Sequence, residues 1–365
     1  PCRQPSSRVL AKPAHTEPPP PRGGRLSFGA IRAVLVGLVA AFFTTPSQAQ
    51  PDPSGIDFVT IGAPGNPAYS GPDVNNLVTG RGGVAYEYRL GRTEVTTAQW
   101  MEFYNAFIGR APFLTIPFRW GAVDRGPGAS PRFSLSRTIP DAGLLPVSGP
   151  SWRTSAMFCN WLHNDKRTDL DAVMNGAYDV STFGSSNQVF TDQAAHHPGA
   201  RYWIPTLDEW IKGAYYDPNH GGMGIGGWWW RSVNGSNTPL IYGPPGQGQA
   251  NADFDLPDGG HYRIPLGAYP DTVSPWGMLD VAGATREWLE SIRTVGGIPY
   301  RQFKGSHWTS GSGGGDLIYG VGDDFPSVPD LFTGFRVAAA VPSPSVYLGV
   351  FLGLGALSAR RPCRR

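Results

Sequence analysis

The sequence predicts an α+β fold rich in irregular loops, and three observations predict it. Glycine and proline are abundant, at 49 and 36 residues, while only 16% of the chain is charged. That balance favours turns and connections over long helices. Three short helices can be placed from caps and periodicity, and the remaining strand candidates are brief. Twelve Trp and fourteen Tyr in such a chain suit side chains that pin irregular backbone through large buried rings.

The first helix follows Thr96 in "TTAQWMEFYNAF", where Gln99 completes a capping-box pattern. Trp100, Phe103, Tyr104 and Phe107 then share one apolar face. The second, "SWRTSAMFCNWLHN", sets Trp152, Ala156 and Cys159 on one side. The third, "PTLDEWIKGAYY", has Pro205 before the Thr206 cap, Glu209 closing the box, and Trp210 and Ala214 on one face. Strand candidates are "YEYRLGRTEV" and "TGFRVAAA". Long Gly/Pro-rich connections fill 111–149 and 217–274, and no internal repeat or second folded domain is visible.

Charge is distributed unevenly. Residues 1–49 hold six Lys/Arg and one acid, and residues 342–365 hold four Arg and no acid. Between them, acids outnumber bases by seven, which argues against nucleic acid as a partner. At the amino end, Arg22, Arg25 and Arg32 precede the apolar run 33–43, and Ser47 and Ala49 supply small residues. That order reads as a secretory signal cut after Ala49, on a run too short to span a bilayer comfortably. At the other end a Pro/Ser hinge leads to the apolar run 346–359 and an Arg cluster, which holds that end at the membrane with its charge retained inside. This tail resembles the Pro-Glu-Pro sorting signal of Gram-negative bacteria, with Ser343 where that signal has Glu. The resemblance implies an exosortase-type processing enzyme as a partner. The organisation expected is therefore a leader plus signal peptide over 1–49, one folded domain over 50–341, and a sorting or membrane-anchor tail over 342–365. The protein is expected to be exported, at the cell surface, outer membrane or exterior of a Gram-negative bacterium.

Six segments in order, "YRLGRTEVTTAQWMEFYNAF", "LPVSGPSWRTSAMFCNWL", "RYWIPTLDEWIKGAYYDP", "SPWGMLDVAGATREWLES", "FKGSHW" and "TGFRVA", resemble the formylglycine-generating enzyme (sulfatase-modifying factor) family. The resemblance covers roughly residues 55–340. It implies that family's variant of the C-type-lectin-like fold. Family members that oxidise a sulfatase cysteine use two cysteines, five residues apart, after the segment matched here by "KGSHW". Their thiolates bind copper, as soft ligands should. This chain has cysteine only at positions 2, 159 and 363. Ser310 and Gly315 fall near the two thiol positions, so no catalytic residue is assigned and copper is not expected. Cys159, among apolar neighbours, reads as a buried core thiol. The sulfoxide-synthase branch of the family adds a three-histidine iron site, and no histidine spacing here matches it; His196 and His197 read as an ordinary loop pair. "GSGGGDLIYG" places Asp316 where a phosphate loop would need Lys-Ser/Thr.

The family also carries structural calcium. "QANADFDLPDGG" resembles one such segment, which implies Asn251, Asp258 and the carbonyl of Ala252 as ligands. The second site rests on an Asn that is Ala284 here. The expected cleft is lined by Trp288, His307, Trp308, Ser310 and Arg336. The functional expectation is an exported, surface-attached pseudoenzyme that binds carbohydrate or an exported protein or peptide. The alternatives are a formylglycine-generating oxidase acting on exported sulfatases or peptides, and a structural component of an extracellular polysaccharide matrix. "GGWWWRS", residues 226–232, is a second aromatic candidate, because three consecutive Trp cannot all face inward on a strand.

Overall fold

A computed structural model describes residues 52–187, 189–220, 227–252, 260–310 and 315–342. The expected signal segment, nearly all of the tail and Asp258 lie outside these residues. Among the described residues no helix is long and apolar enough to cross a membrane.

The chain forms β1 (Phe58–Ile61) and β2 (Tyr88–Gly91), then α1 (Thr97–Phe107) and the small hairpin β3 (Ala122–Asp124) with β4 (Phe133–Leu135). Next come α2 (Trp152–His163), the one-turn α3 (Asp171–Met174) and the hairpin β5 (Ser185–Ser186) with β6 (Val189–Phe190). β7 (Tyr202–Trp203), α4 (Leu207–Tyr215) and the pair β8 (Tyr216–Asp217) and β9 (Trp228–Trp229) follow. The last part holds β10 (Arg286–Val295), β11 (Ile298–Lys304), β12 (Val321–Asp324), β13 (Thr333–Gly334) and β14 (Ala338–Ala340). Two four-stranded sheets result, ordered β1-β2-β14-β7 and β12-β11-β10-β13. In the first, β14 comes from the far end of the domain and pairs antiparallel with both β2 and β7. In the second, the long hairpin β10–β11 is flanked by antiparallel β12 and by β13, which runs parallel to β10.

The two capping boxes form as their sequences require. The Thr96 hydroxyl accepts the Gln99 N–H while the Gln99 side chain accepts the Thr96 N–H at 3.0 Å. Glu209 does the same for Thr206 at 2.7 Å. Each box satisfies backbone donors that a helix start leaves orphaned. α1 buries Trp100, Phe103, Tyr104 and Phe107, and Trp100 lies 5.6 Å from Phe158 of α2, ring centre to ring centre.

Two expectations are corrected. α2 is buried all round from Trp152 to Leu162, not on one face. Its polar side chains are tolerated inside because each finds a partner: Arg153 pairs with Asp192 at 2.6 Å, and Asn160 donates to the carbonyls of Val173 and Tyr178. "TGFRVAAA" is not one strand but two short ladders, interrupted at Phe335–Val337. The interruption turns Arg336 inward, to a fully buried ion pair with Glu287 of β10 at 2.6 Å.

That pair is the centre of a wider network. Arg336 also donates to the carbonyls of Gly91, Leu279 and Asp280. Glu287 also accepts the indole N–H of Trp210 from α4 at 2.8 Å. Removing one partner of a buried pair strands the other charge, at a cost of about 3–5 kcal/mol. Arg336→Met should therefore lower unfolding free energy in urea by that order, whereas Glu287→Met/Arg336→Met, which strands no charge, should lose clearly less than the single variant.

Candidate functional site

The hairpin β10–β11 carries the chain directly into "FKGSHW". Phe303 and Lys304 end β11, and Gly305 (φ +90°) turns the backbone out of the sheet. Ser306 stays buried, and its hydroxyl accepts the Gly283 N–H at 2.8 Å. His307 and Ser310 then emerge at a half-open cavity of about 360 Å³. Its other walls are Arg286, Phe303 and Tyr319, with Gly315, Gly320 and Gly322 along the return segment and Val74 and Asn75 at the rim.

Each polar group there has a defined state. The His307 ring stacks on Phe332 at 4.2 Å, and its Nδ1 faces the Thr309 backbone N–H and hydroxyl. An Nδ1 that accepts an N–H carries no proton, which leaves the proton of the neutral ring on Nε2. Burial, with the Arg286 charge added, pushes the His307 pKa down to about 4. The Ser310 hydroxyl accepts the His307 backbone N–H at 2.9 Å, not a bond from the imidazole. The two residues therefore make no nucleophile–base pair, because activation of Ser requires its hydroxyl to meet the base. Arg286 is held by Asp330 and by the Thr333 hydroxyl, and its guanidinium lies 3.9 Å from the Phe303 ring centre. Behind the wall, Lys304 is fully buried and donates to the Tyr215 hydroxyl and the Leu317 carbonyl, both at 2.9 Å. Burial pushes its pKa down to about 7.

Of the five residues expected in a cleft, the structure brings His307 and Ser310 to this cavity. Trp288 stands one layer behind, its indole N–H on the Pro150 carbonyl and its ring edge-on to Phe303 at 6.2 Å. Trp308 is buried between Phe332 and Tyr262, and Arg336 is in the core with Glu287. In each case a buried polar partner or ring holds the side chain inside. Arg286, Phe303 and Tyr319 were missed. Phe303 opens the very segment singled out, and Arg286 precedes the "EW" of β10, so both lay within recognised motifs without being assigned to the site.

Ser310 and Gly315, the positions near the family's two thiols, line the same cavity. Neither offers a soft ligand, so the residues present do not fit copper. The one thiol among the described residues, Cys159, is fully buried in α2, and burial pushes its pKa well above the usual thiol value. Asn251 and Ala252 are buried beside Gly283 and Ala284. The Asn251 side-chain oxygen accepts the Ala284 N–H at 2.5 Å, so one of its lone pairs is committed to a donor. Calcium takes 6–8 oxygens, and among the described residues no group of three His, Cys, Asp or Glu side chains gathers to hold a metal. His196 and His197 diverge: His196 stacks on Trp203 and meets Glu290 at 2.9 Å, while His197 accepts the Gly199 N–H.

Residues 61–341 match the sulfatase-modifying factor enzyme 1-like domain. The chain belongs to the sulfatase-modifying factor family. No curated protein matches it. The solved structure of CarF is 19% identical over 79% of this chain and 99% of its own, with a TM-score of 0.48. Variable protein 1 of Treponema denticola is 16% identical over 78% and 95%, with a TM-score of 0.49. PvdO from Pseudomonas aeruginosa is 14% identical over 78% and 92%, with a TM-score of 0.40. Within this sulfatase-modifying factor domain the chemistry is set by the residues present, because function belongs to the site and not to the fold.

Two measurements check the site. His307 should titrate in NMR with a midpoint near 4, far below a free imidazole. A folded pKa below the unfolded one means its contribution to stability is present above about pH 6.5 and is lost as pH falls toward the folded value. By peptide mapping, Cys159 should resist a bulky thiol reagent in the native protein and react once urea exposes it; modification at Cys159 itself in the native protein would place that thiol at the surface.

Proposed function

We propose that this sulfatase-modifying factor domain, the family's variant of the C-type-lectin-like fold, is a binding module for carbohydrate and not an oxidase. The observation that carries this reading is the pairing of Ser310 and Gly315 in one cavity with Arg286, Phe303, His307 and Tyr319. Where the family resemblance places two thiolates, this chain has a hydroxyl, a bare backbone and aromatic walls. Such a cavity offers apolar ring faces and a few hydrogen-bonding groups, which suits a sugar ring. Among the described residues neither a thiolate nor a nucleophile–base pair lines it. The signal-like leader and the apolar, Arg-terminated tail support a place at the surface of a Gram-negative cell, with the tail as the anchor or the target of an exosortase-type enzyme. Protein partners and a role in a polysaccharide matrix are alternatives on the same surface.

A glycan array followed by calorimetry tests the reading. The wild type should bind at least one neutral saccharide. Ser310→Trp, which fills the cavity, should weaken that binding tenfold or more, about 1.4 kcal/mol. A Cys-x-Pro-x-Arg peptide incubated with the protein, copper and oxygen should keep its mass. Conversion of that peptide, or an array without a single saccharide hit, would sink the proposal.

A further inference from the structure

A second cavity, of about 460 Å³, opens beside the first. Tyr69, Pro72, Trp228, Trp229, Arg231 and Asn237 are its main walls. Trp229 is fixed: its indole N–H reaches the Pro67 carbonyl at 3.2 Å, and its ring packs against Tyr69 and Tyr216. Trp228 is 48% exposed, yet it is held in place, opposite Asp217 in the β8–β9 ladder and with the His220 ring at 5.6 Å. A large indole left partly in water is a ready stacking face, because its burial free energy is still to be gained.

The polar groups around it are exposed donors. Among the described residues Arg231 meets no carboxylate; its guanidinium lies 6.0 Å from the Tyr319 ring centre. The Asn237 side-chain oxygen accepts the Arg231 N–H at 3.2 Å, and no hydrogen bond from its amide nitrogen is formed with the described residues. Arg231 also joins the two cavities. Its carbonyl accepts the Ile318 N–H at 3.0 Å, and the next residue, Ser232, bridges to Leu317. Tyr319 is a wall of the first cavity and Arg231 of the second. One loop edges both, with Ser70 to Pro72 on the second and Val74 and Asn75 on the first.

We infer that the two cavities are adjacent subsites of one groove for a linear chain of neutral pyranose rings, with Trp228 as the stacking face and Arg231 reading hydroxyls at the junction. This rests on the carbohydrate reading of the first cavity and extends it to ligand length and charge. A pyranose has an apolar C–H face for the indole and a hydroxyl rim for Arg231 and Asn237. A polyanion is disfavoured because acids outnumber bases by seven over residues 50–341, and repulsion acts on an approaching anion wherever salt does not screen it.

The experiment is calorimetry with neutral gluco-, manno- and galacto-oligosaccharides from monosaccharide to hexasaccharide, in two salt concentrations. Affinity should rise with length and then level off. Trp228→Ala should remove tenfold or more of the gain in affinity with length. Arg231→Gln should weaken only the longer ligands. Binding without length dependence, or a silent Trp228→Ala, overturns the two-subsite inference and leaves the first cavity's function standing. A uronic-acid oligosaccharide of equal length, titrated alongside at both salt concentrations, should bind more weakly than the neutral chain; tighter binding of the acidic chain overturns the neutral assignment. Binding of peptides in place of any saccharide overturns both this inference and the function it rests on.

Discussion

The ion pair between Glu287 and Arg336 is the constraint on which the arrangement turns. It joins β10, the first strand of the long hairpin, to the segment between β13 and β14. Through Trp210 it reaches α4, and through the Gly91 and Asp280 carbonyls it reaches β2 and the connection before β10. Both charges are removed from water, so the pair holds only because its remaining donors and acceptors are also matched. A loop-rich chain has few ladders to fix one sheet against another. A buried, many-armed hydrogen-bonded centre supplies the geometry that regular structure does not.

A second device repeats this logic with backbone donors. Three successive N–H groups, of Gly283, Ala284 and Thr285, each meet a side-chain oxygen: Ser306, Asn251 and Glu94 at 2.8, 2.5 and 3.1 Å. The turn that aims them needs left-handed backbone at Gly283 (φ +78°) and Ala284 (φ +45°). At Gly283 a side chain is also excluded by space, because a Cβ would stand 2.2 Å from the Asn251 oxygen. Burial, and after it the nearby Glu287, pushes the Glu94 carboxyl well above its usual range. Asn251, read in sequence as an ion ligand, thus also clamps the turn that leads into β10. Ser306, at the root of the cavity loop, fixes that loop to the same turn. The cavity residues His307 and Ser310 inherit their position from this anchoring and from the turn at Gly305.

The cavity itself combines a fixed wall with a chemically quiet interior. Arg286 is neutralised by Asp330 and stacked near Phe303, His307 is neutral at ordinary pH, and Ser310 is occupied by a backbone donor. Groups held this way present hydrogen-bonding atoms and ring faces to the cavity.

By itself the sequence determined the local parts. The capping boxes at Thr96 and Thr206, the apolar face of α1, the loop-rich α+β character and the family's six ordered segments follow from residue types at short spacing, which act within a turn or two of chain. The absence of a thiol at positions 303–320 was equally plain. Only the tertiary structure decided which side chains face the cavity. Trp288, Trp308 and Arg336 sit in the same motifs as His307 and Ser310, but their partners Pro150, Phe332 and Glu287 come from other parts of the chain, and an indole or guanidinium turns toward the partner that satisfies it. For the same reason "GGWWWRS" could be marked in the sequence as an aromatic candidate, but that Trp228, Trp229 and Arg231 line a cavity with the 69–72 segment was decided only by the fold. Burial and pairing are long-range properties, and no spacing along the chain records them.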